Sequence, residues 1–521
     1  MCPACRGALI LAAERAGTSD LLVEGTLSCE QCGRRYPVEG GVAYLAVLDT
    51  SWTTILKELI NRRELIEHNM RNPGGGADAS SGRKAEQEES VNALADMCFA
   101  EACRMVPEGR PLRLLDCGAG MFETSAAFAS QGLDVTATET EISMARYCNF
   151  RGEAHLDPQP FSIDGTPYHI RDPEGHPHHF SRIVGDIQRL PFREGHFDVA
   201  FCRAMLHHVD RVDRAIGEMA RVVRPGGLIL IAAEPARSIL DSEEAFHECS
   251  VDREVGMNER APTLLAYRRP LAAACSEVSI HYWPMGPMGR SGRIFSLIRY
   301  DYRRHLRAGE ILRDWRWVKL LPWASAVNLY GRRGSRPLSP PPIVQGDVPT
   351  IEAVANVYIS YDNDKTLDGL HQGTNELQAM RRRLLARNAR RFPQRVLPGK
   401  TQGMVLESGW GRAERAGGVR FRHVLRHATI FLSVPRSASR LAVVHGGGEL
   451  ALPYEVEVIV NGEVVGALTG SESAWKRETF PLGQEARDNG LAEIEFVSKV
   501  FNRHEASRTD VGAAIRSLEV C

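Results

Sequence analysis

Hydrophobic and polar positions follow two different patterns along this chain of 521 residues. Between residues 112 and 235, short apolar runs alternate with glycine turns and helix-like segments, an order that predicts a parallel sheet. From residue 399 onward, apolar and polar residues alternate in short segments, and one of these, 454–460, precedes the hairpin dipeptide Asn461-Gly462. The chain therefore predicts an α/β region followed by an all-β sandwich.

Residues Leu112 to Glu139 carry a strand, turn, helix and strand in succession. An apolar run ends at Asp116, the chain turns through Gly118 and Gly120, and a second short strand ends at Glu139. Open α/β sheets bind ligands where such strand ends adjoin. Glycines let the backbone approach a ligand closely, and a carboxylate can accept both hydroxyls of a ribose. The segment therefore predicts a nucleotide site.

Phe122 stands where a dinucleotide-binding turn would have its third glycine. A pyrophosphate would have less room there, which argues against a dehydrogenase. Further motifs follow in order: a strand ending at Asp186, a buried strand and loop at 197–209, and a helix end, Pro-Gly-Gly turn and buried strand at 219–235. Together the four motifs resemble a class I S-adenosylmethionine-dependent methyltransferase, of the methyltransferase type 11 kind, over roughly residues 90–337.

This resemblance implies an α/β, Rossmann-like core, with a mostly parallel sheet closed by an antiparallel strand, and S-adenosylmethionine as cofactor. The implied cofactor contacts are Asp116, Gly118 and Gly120 at the methionine end, Glu139 at the ribose hydroxyls, Asp186 and Ile187 beside the adenine, and Cys202 and Arg203 where cofactor and acceptor meet. For Asp116, Glu139 and Asp186 the alternative is a carboxylate that only caps a turn. For Cys202 the alternative is a small buried residue.

His207 and His208 follow the strand at whose end the methyl acceptor usually lies in this family. Imidazole titrates near neutrality, so either ring could take a proton from an acceptor hydroxyl. Positioning supplies most of the rate of a methyl displacement, so a base is optional. Both a catalytic role and a packing role remain open for this pair.

Four cysteines near the N-terminus predict a metal site. Cys2 and Cys5 form one C-x-x-C pair, and Cys29 and Cys32 form another after 23 intervening residues. Two such knuckles supply the four thiolates that structural zinc prefers. Reduced surface cysteines or a redox pair are the alternatives. Because four ligands fill the tetrahedron, the predicted zinc ribbon has a structural rather than a catalytic metal.

Composition restricts the other possibilities. The chain is 43% hydrophobic and 25% charged, with a net charge of −1. It is therefore globular and has no overall field that would attract nucleic acid. Its twelve cysteines are too few for a disulfide scaffold. No apolar run approaches the ~18 residues of a membrane span and no signal peptide opens the chain, which predicts a cytoplasmic protein.

Five segments are predicted from these patterns. They are a zinc ribbon at 1–50, a helix and flexible linker at 51–88, the methyltransferase domain at 89–337, a proline-rich and basic helical linker at 338–398, and a β-sandwich at 399–521. Within them, helices are predicted at 52–70, 89–106 and 374–392, a Gly/Ser-rich linker at 71–90 and a proline-rich spacer at 335–349. The sandwich is similar to accessory modules of bacterial glycan-assembly enzymes. This similarity favours carbohydrate binding, while a structural or oligomerising role is the alternative.

Three further segments carry chemistry without a defined role. The insertion 151–181 holds five histidines, which predict a loop or hairpin beside the cofactor rather than a metal site. Residues 290–336 contain twelve Arg or Lys against three Asp or Glu, interleaved with aromatics. They could contact an anionic membrane surface or RNA, or form a helical lid. Candidate acceptor contacts are His247, Glu254, Asn258 and Glu259.

The leading hypothesis is transfer of a methyl group from S-adenosylmethionine to a hydroxyl of a saccharide or another small-molecule or glycan precursor. One alternative is RNA methylation, because some ribosomal RNA methyltransferases also carry a cysteine-rich zinc module. The net charge and the absence of an Asn-Pro-Pro-Tyr signature at Cys202 and Arg203 argue against it. The other alternative is a noncatalytic scaffold with a degenerate central domain.

Overall fold

The chain divides into two compact units in a computed structural model. The first comprises 1–49, 73–249 and 260–362, and the second comprises 50–72, 250–259 and 363–521. The structure describes residues 1–16, 22–39, 41–48, 52–57, 59–60, 111–120, 122–140, 161–163, 166–168, 180–237, 260, 262–284, 325–338, 340, 367–400, 409–425, 427–448, 453–472, 474–500, 502–504 and 509–521.

Eleven strands of the first unit form one mixed sheet. They are β1 (Leu9–Ala16), β2 (Leu22–Cys29), β3 (Arg35–Glu39), β4 (Val42–Tyr44), β5 (Arg113–Cys117), β6 (Asp134–Glu139), β9 (Ser181–Val184), β10 (Phe197–Arg203), β11 (Val223–Ala236), β12 (Cys275–Pro284) and β13 (Ser325–Arg333). The order across the sheet is β1-β2-β3-β4-β9-β6-β5-β10-β11-β13-β12. A separate antiparallel hairpin, β7 (Phe161–Ile163) and β8 (Thr166–Tyr168), lies in the predicted insertion.

The centre of this sheet has the topology of a class I methyltransferase. Strands β9, β6, β5, β10 and β11 are parallel, with β5 in the middle. Strand β13 inserts antiparallel between β11 and β12. The predicted parallel sheet with an antiparallel closing strand is therefore confirmed. Six of the seven β10 residues are buried, as expected of a strand with apolar side chains on both faces.

The zinc ribbon continues this sheet. Strands β1 to β4 form an antiparallel meander. The last of them, β4, then pairs in parallel with β9, so that Val42 lies opposite Arg182 and Tyr44 opposite Val184. The backbone amide of Leu45 extends the ladder by donating to the Val184 carbonyl at 2.8 Å. The ribbon thus covers the edge strand of the methyltransferase-like core.

Within the described part of the first unit, three α-helices pack against the sheet. They are α1 (Glu123–Ser130), α2 (Val212–Val222) and α3 (Leu264–Ala274). On α2, the buried side chains Ala215, Ile216 and Met219 recur at helical spacing and face a core that includes Ile229 and Ile231. The sequence period, rather than the propensity of any one residue, therefore fixes which face of α2 is buried.

The Pro-Gly-Gly segment, predicted as a turn before a strand, lies within strand β11. Strand β11 starts at Val223 and the turn residues bulge out before Leu228, because Val223 and Leu228 pair with residues only two apart on β10. At Gly226 the backbone φ is +80°, a left-handed conformation that glycine adopts without strain. At Gly227 an added Cβ would lie 2.4 Å from the Asp198 carbonyl oxygen, so the sheet also requires a glycine there.

Two antiparallel sheets form the β-sandwich of the second unit. The first contains β14 (Arg395–Val396), β15 (Trp410–Ala416), β16 (Val419–Val424), β18 (Arg440–Gly446), β21 (Lys476–Pro481) and β25 (Ala514–Val520), and the other contains β17 (His427–Ser433), β19 (Tyr454–Val460), β20 (Glu463–Gly470) and β22 (Leu491–Val500). Their orders are β15-β16-β25-β18-β21, with β14 beside β25, and β17-β22-β19-β20. A further pair is β23 (Asn502–His504) with β24 (Thr509–Val511).

The hairpin predicted at Asn461-Gly462 joins β19 to β20. Both residues have positive φ, 50° and 85°, as a two-residue hairpin turn requires. Alternate residues of β19, such as Val456 and Val458, enter the core between the sheets. The predicted sandwich is therefore confirmed in its strands and in its alternation.

Helix α4 (Leu367–Ala386) belongs to the second unit, as does α5 (Gln484–Asn489). The basic helix predicted at 374–392 ends earlier, and a 3-10 turn at Ala389–Arg391 follows it. Leu377, Met380 and Leu384 of α4 are buried. Residues 52–57 and 59–60 are helical and provide part of the predicted helix at 52–70.

Several predicted features fall outside the described residues. They are the linker 71–90, the helix 89–106, the histidines of the insertion, the candidate acceptor contacts, most of the basic and aromatic segment 290–336, and residues 341–349 of the proline-rich spacer. Within the part of the chain that is described, no helix is both long and apolar enough to cross a membrane.

Candidate functional site

The glycine turn after β5 has the geometry expected of a ligand-binding loop. Gly118 and Gly120 have φ values of +66° and +56°. A Cβ on Gly118 would lie 2.2 Å from Cγ of Met205, so only glycine fits there. A Cβ on Gly120 would have no described atom within 4 Å, so the backbone of this residue borders open space. The turn therefore presents backbone to a ligand on the Gly120 side.

Glu139 closes this turn from the end of β6. Its Oε2 accepts a hydrogen bond from the Gly120 amide at 2.8 Å, and its Oε1 accepts from the Thr140 amide at 2.7 Å. The carboxylate is thus held beside the glycine turn by two backbone donors. Its Oε1 also accepts the Thr140 hydroxyl at 3.3 Å. A carboxylate offers about four acceptor sites over its two oxygens, and ribose hydroxyls are donors of the kind it binds. The structure brings together the three residues that the sequence assigned to neighbouring parts of one ligand.

Asp116 lies beneath the turn and is buried. Its Oδ2 accepts the Ser125 hydroxyl at 2.6 Å, which links β5 to helix α1. Burial raises the pKa of Asp116 to about 7, the Glu139 charge adds to the rise, and the Ser125 bond opposes it. Contact between Asp116 and the methionine end of a cofactor stays a prediction, since the observed bond also fits the structural alternative.

Phe122 takes the place of the third glycine without disturbing the turn. Its backbone is left-handed, with φ at 62°, which is uncommon for a bulky residue. Its buried ring stacks on Phe180 with centroids 5.8 Å apart. The chain thus keeps the backbone shape of a glycine-rich turn, and packing of the ring offsets the conformational cost.

The loop after β9 differs from the predicted one. The strand ends at Val184 rather than at Asp186, because Asp186 caps a 3-10 turn, Ile187–Arg189, by accepting the Gln188 amide at 2.8 Å. Ile187 is buried in the core. Adenine contacts by Asp186 and Ile187 remain predictions.

Cys202 and Arg203 end strand β10. Cys202 is fully buried in the core of the first unit, in agreement with the packing alternative, while Arg203 is half-buried. The next residue, Ala204, has φ at 47°, and Ala233 on the neighbouring strand has φ at 55°. Left-handed alanines cost about 1–3 kcal/mol each and concentrate at functional sites.

Glu234 follows the strained Ala233 and is 0% exposed. Its Oε1 accepts the amides of Met205 and Leu206, each at 2.8 Å. Its Oε2 accepts the His207 amide at 3.2 Å and contacts His207 Nδ1 at 2.9 Å. One carboxylate therefore holds the whole 3-10 turn that carries the two predicted histidines. This residue was absent from the sequence prediction, although an acidic residue at the end of the apolar run 228–233 was a visible signal.

The two histidines have different surroundings. His207 is buried and bonded to Glu234, and His208 is only partly buried. Their ring centroids are 4.1 Å apart. Because Glu234 accepts at Nδ1, neutral His207 carries its hydrogen on that nitrogen and has Nε2 as its acceptor atom. The structure therefore separates the predicted pair into one ring that Glu234 orients and one that packs against it at an interplanar angle of 40°.

The four predicted metal ligands meet in the ribbon. The sulfur atoms of Cys2, Cys5, Cys29 and Cys32 all lie within 4.8 Å of one another. Two of the separations are 3.7 Å (Cys2 to Cys32) and 3.4 Å (Cys5 to Cys29). A tetrahedral zinc with bonds of about 2.3 Å would place its sulfurs about 3.8 Å apart, so the cluster fits zinc in chemistry and in size.

Each knuckle closes in the same way. The fifth residue counted from the first cysteine, Arg6 in one knuckle and Gly33 in the other, has φ of 68° and 69°. Their amides donate to the carbonyls of Cys2 and Cys29 at 2.9 and 3.0 Å. The repeated backbone turn is what brings the two sulfurs of each C-x-x-C pair to one side.

A buried glutamate of helix α2 lies between the ribbon and the loop after β9. Glu218 receives two bonds from Arg221, at 2.6 and 2.8 Å, and one from the Leu190 amide at 3.0 Å. Arg6 of the first knuckle lies 3.7 Å from the same carboxylate. The loop that carries the predicted adenine contacts is therefore fixed from both helix and ribbon sides.

Two family models match parts of this chain. Residues 115–231 match the methyltransferase domain, and residues 1–41 match the Trm112p-like protein family. The first match contains the glycine turn, Glu139 and both histidines. The core of the first unit is thus a methyltransferase domain of the kind that uses S-adenosylmethionine, and the four cysteines belong to a Trm112p-like zinc ribbon.

Curated proteins are similar to part of this chain. A malonyl-[acyl-carrier protein] O-methyltransferase of Pectobacterium atrosepticum is 25% identical over 142 residues, which cover 27% of this chain and 46% of that protein. A tRNA (carboxymethyluridine(34)-5-O)-methyltransferase of Arabidopsis thaliana is 46% identical over 52 residues, which cover 9% and 13%. This chain spans about half the length of the curated relatives that it matches, 46% to 61% for the first three.

Among solved structures, a phosphoethanolamine N-methyltransferase of Haemonchus contortus with S-adenosylhomocysteine has 18% sequence identity and a TM-score of 0.29. The match covers 46% of this chain and 52% of that one.

Proposed function

We propose that this protein transfers a methyl group from S-adenosylmethionine to a hydroxyl of a saccharide or another small-molecule or glycan precursor. The observation that supports methyl transfer most directly is the Gly118–Gly120 turn with the Glu139 carboxylate bonded across it, at the ends of two adjoining parallel strands. The turn lies within the methyltransferase domain match.

The residues of the site fit the cofactor. Glu139 would accept the two ribose hydroxyls, and the Gly118 and Gly120 backbone would lie along the methionine portion. Asp186 and Ile187 would border the adenine. When bound, S-adenosylmethionine supplies an electrophilic methyl group on a sulfonium. Cys202 and Arg203, at the end of β10, would lie toward the acceptor.

His207 would act on the acceptor hydroxyl. With Glu234 at Nδ1, its Nε2 is the nitrogen able to receive a proton. His207 Nε2 would take the proton that the acceptor hydroxyl gives up when the methyl group is transferred to its oxygen and S-adenosylhomocysteine is released. Glu234 would stabilise the imidazolium that forms, since a buried anion favours a neighbouring cation. His208 would support the ring of His207 by packing against it.

A hydroxyl acceptor is supported by two features. The second unit is a β-sandwich with its own core, and its sequence is similar to accessory modules of bacterial glycan-assembly enzymes. The Pectobacterium relative is named as an O-methyltransferase, a name that gives oxygen as the atom that receives the methyl group. Together they favour transfer to oxygen, with the sandwich as a separate carbohydrate-binding module.

Calorimetry on the full zinc-loaded chain tests the cofactor site. The wild type should bind S-adenosylhomocysteine, and Glu139→Gln should weaken this binding by about 10-fold or more, because charged hydrogen bonds to the ribose are lost. Glu277→Gln changes an exposed glutamate of the same sheet and should leave binding unchanged. Failure of the folded, zinc-loaded wild type to bind would favour the noncatalytic scaffold instead.

Transfer of a labelled methyl group tests the acceptor. The full chain is incubated with labelled S-adenosylmethionine and, in parallel, with a panel of saccharides and with RNA. Label in a saccharide ether supports the proposal, and His207→Gln should then lower turnover by about 100-fold with cofactor affinity unchanged. Label in RNA alone would overturn the saccharide acceptor while keeping the methyltransferase activity.

RNA methylation is the second candidate. It is favoured by the Trm112p-like match at residues 1–41 and by the short similarity to a plant enzyme named for tRNA methylation. RNA binding that weakens steeply with salt would support it, because phosphate contacts release counterions. The net charge of −1 still argues against broad nucleic-acid affinity.

A further inference from the structure

The sulfur of Cys2, the first cysteine of the zinc cluster, has a side-chain hydroxyl as its hydrogen-bond partner. The Tyr36 hydroxyl lies 3.1 Å from Cys2 Sγ. By contrast, Cys5 Sγ receives the backbone amide of Gly7 at 3.5 Å, and Cys29 Sγ receives backbone amides as well. A backbone donor follows from the knuckle turn itself, whereas a tyrosine hydroxyl is supplied by one particular residue.

Both members of this contact are shielded from water. Cys2 is 1% exposed and Tyr36 is 3% exposed, whereas Cys32 is exposed. A thiolate at the surface can receive hydrogen bonds from water, but a buried one must find its donors in the protein. The Tyr36 hydroxyl therefore provides a protein donor for the buried Cys2 sulfur, whereas the exposed Cys32 sulfur has the Arg34 amide as a donor and is open to solvent.

We propose that Tyr36 is a positioning residue for the metal, which donates its hydroxyl hydrogen to the zinc-bound Cys2 thiolate and so slows loss of zinc. Zinc-bound cysteine has no proton of its own, so the tyrosine is the donor in this bond. The bond spreads part of the charge that four thiolates place around one zinc ion. Outer partners of this kind typically change metal affinity by about 10- to 100-fold.

The position of Tyr36 in the fold gives the bond a second consequence. Tyr36 lies on β3, where it pairs with Leu27 of β2, while Cys2 belongs to the first knuckle. The hydroxyl therefore joins the first knuckle to the strand that follows the second knuckle. Removing it should loosen the Cys2 ligand rather than the whole cluster.

Zinc release and cobalt spectra of three full-length proteins test this role. Tyr36→Phe removes only the hydroxyl, and Tyr44→Phe removes a hydroxyl from a tyrosine on β4 that is 0% exposed. Tyr36→Phe should release zinc to a coloured chelator about 10-fold faster than wild type. In cobalt-loaded protein its sulfur-to-metal charge-transfer band should move to lower energy, because the thiolate loses a hydrogen bond. Tyr44→Phe should match wild type in both measurements.

A release rate within about twofold of wild type, together with an unchanged cobalt band, would overturn the proposal. Equal effects of the two substitutions would do so as well, since they would indicate a general packing role. Should Tyr36→Phe fail to fold, 3,5-difluorotyrosine at position 36 decides the matter. It keeps the hydroxyl as a stronger donor and should move the cobalt band to higher energy. An unmoved band in that protein contradicts the proposed bond.

Discussion

Two buried glutamates, one in each unit, use the same chemistry for different purposes. Glu234 in the first unit is 0% exposed, and Glu493 in the second is 2% exposed. Glu234 accepts three backbone amides and contacts His207 at the end of a parallel strand. Glu493 lies within β22 and pairs with Arg382 of helix α4 at 2.8 Å. One carboxylate holds a loop, and the other holds a helix.

The two glutamates differ in the backbone and side chains that surround them. Around Glu234 the backbone is strained at Ala204 and Ala233, and a titratable ring is oriented by the carboxylate. The partner of the Glu493 carboxylate is a permanent cation, Arg382. The backbone amide of Glu493 donates to the side-chain oxygen of Asn461, and Glu493 lies within a regular strand. Burial of a carboxylate is thus no sign of function by itself. Strain and an oriented acid–base group at strand ends distinguish the candidate site from a structural ion pair.

Loss of the metal should have the largest effect and should be confined to the first unit. Cys29→Ser removes one of four thiolates, and structural zinc contributes an apparent ~10–16 kcal/mol to small zinc modules. Zinc content should fall from about one ion per chain to near zero, and hydrogen exchange should accelerate in the ribbon and in β9, which pairs with it. Peptides of the sandwich should exchange as in wild type. Zinc retained at one ion per chain would contradict a four-cysteine site.

Breaking the ion pair of the second unit should come next. Glu493→Gln removes the buried anion that pairs with the Arg382 guanidinium. This change should lower the free energy of unfolding of the sandwich by about 3 kcal/mol in urea. Glu485→Gln removes a half-exposed carboxylate 3.5 Å from the same arginine and should cost well under about 1 kcal/mol. Replacing both Arg382 and Glu493 by Met should restore most of the stability. Equal losses in the single and double variants would indicate that the pair does not act as a unit.

Neutralising Glu234 should affect a smaller region of the first unit. Glu234→Gln replaces one carboxylate oxygen by an amide NH2 group, which cannot accept a hydrogen bond. The bonds from the amides of 205–207 should be weakened, at a cost of about 2 kcal/mol in local stability. Hydrogen exchange should accelerate at residues 205–208, while β19 and β22 of the sandwich stay unchanged. The exposed Glu277→Gln serves as the matched control. Unchanged protection of the 205–208 amides from hydrogen exchange would show that Glu234 does not hold this turn.

Asp116 gives the first unit a pH dependence of smaller size. Its pKa is raised from about 3.8 to about 7 on folding, so the folded state holds the proton more tightly. The resulting stability is complete below the unfolded pKa and is lost as pH rises through about 7. Without cofactor, the first unit should lose about 1 kcal/mol per pH unit between about pH 5 and 7, and Asp116→Asn should flatten this slope. A slope that is the same in the variant would assign the titration to another group.

Much of the fold could be predicted from residue order because local rules decide it. Alternation of valines and the Asn461-Gly462 dipeptide determine a hairpin whatever surrounds it. The apolar run at 112–115 predicts one strand, and the segment that ends at Glu139 predicts a second. The carboxyl ends of both strands lie at the same edge of the sheet. The spacing of two C-x-x-C pairs likewise specifies four converging thiolates. Strand ends were predicted less accurately: β9 ends before Asp186, because the carboxylate of that residue bonds to its own turn.

The sequence alone determined the order of strands and helices, the cysteine cluster and the positions of the glycine turn and its carboxylate. Only the tertiary structure decided that β4 of the ribbon pairs with β9, that Glu234 orients His207, and that the Tyr36 hydroxyl contacts Cys2. These contacts join residues far apart in the chain. Their energies depend on packing and on the loss of water around polar groups, which no short stretch of sequence encodes.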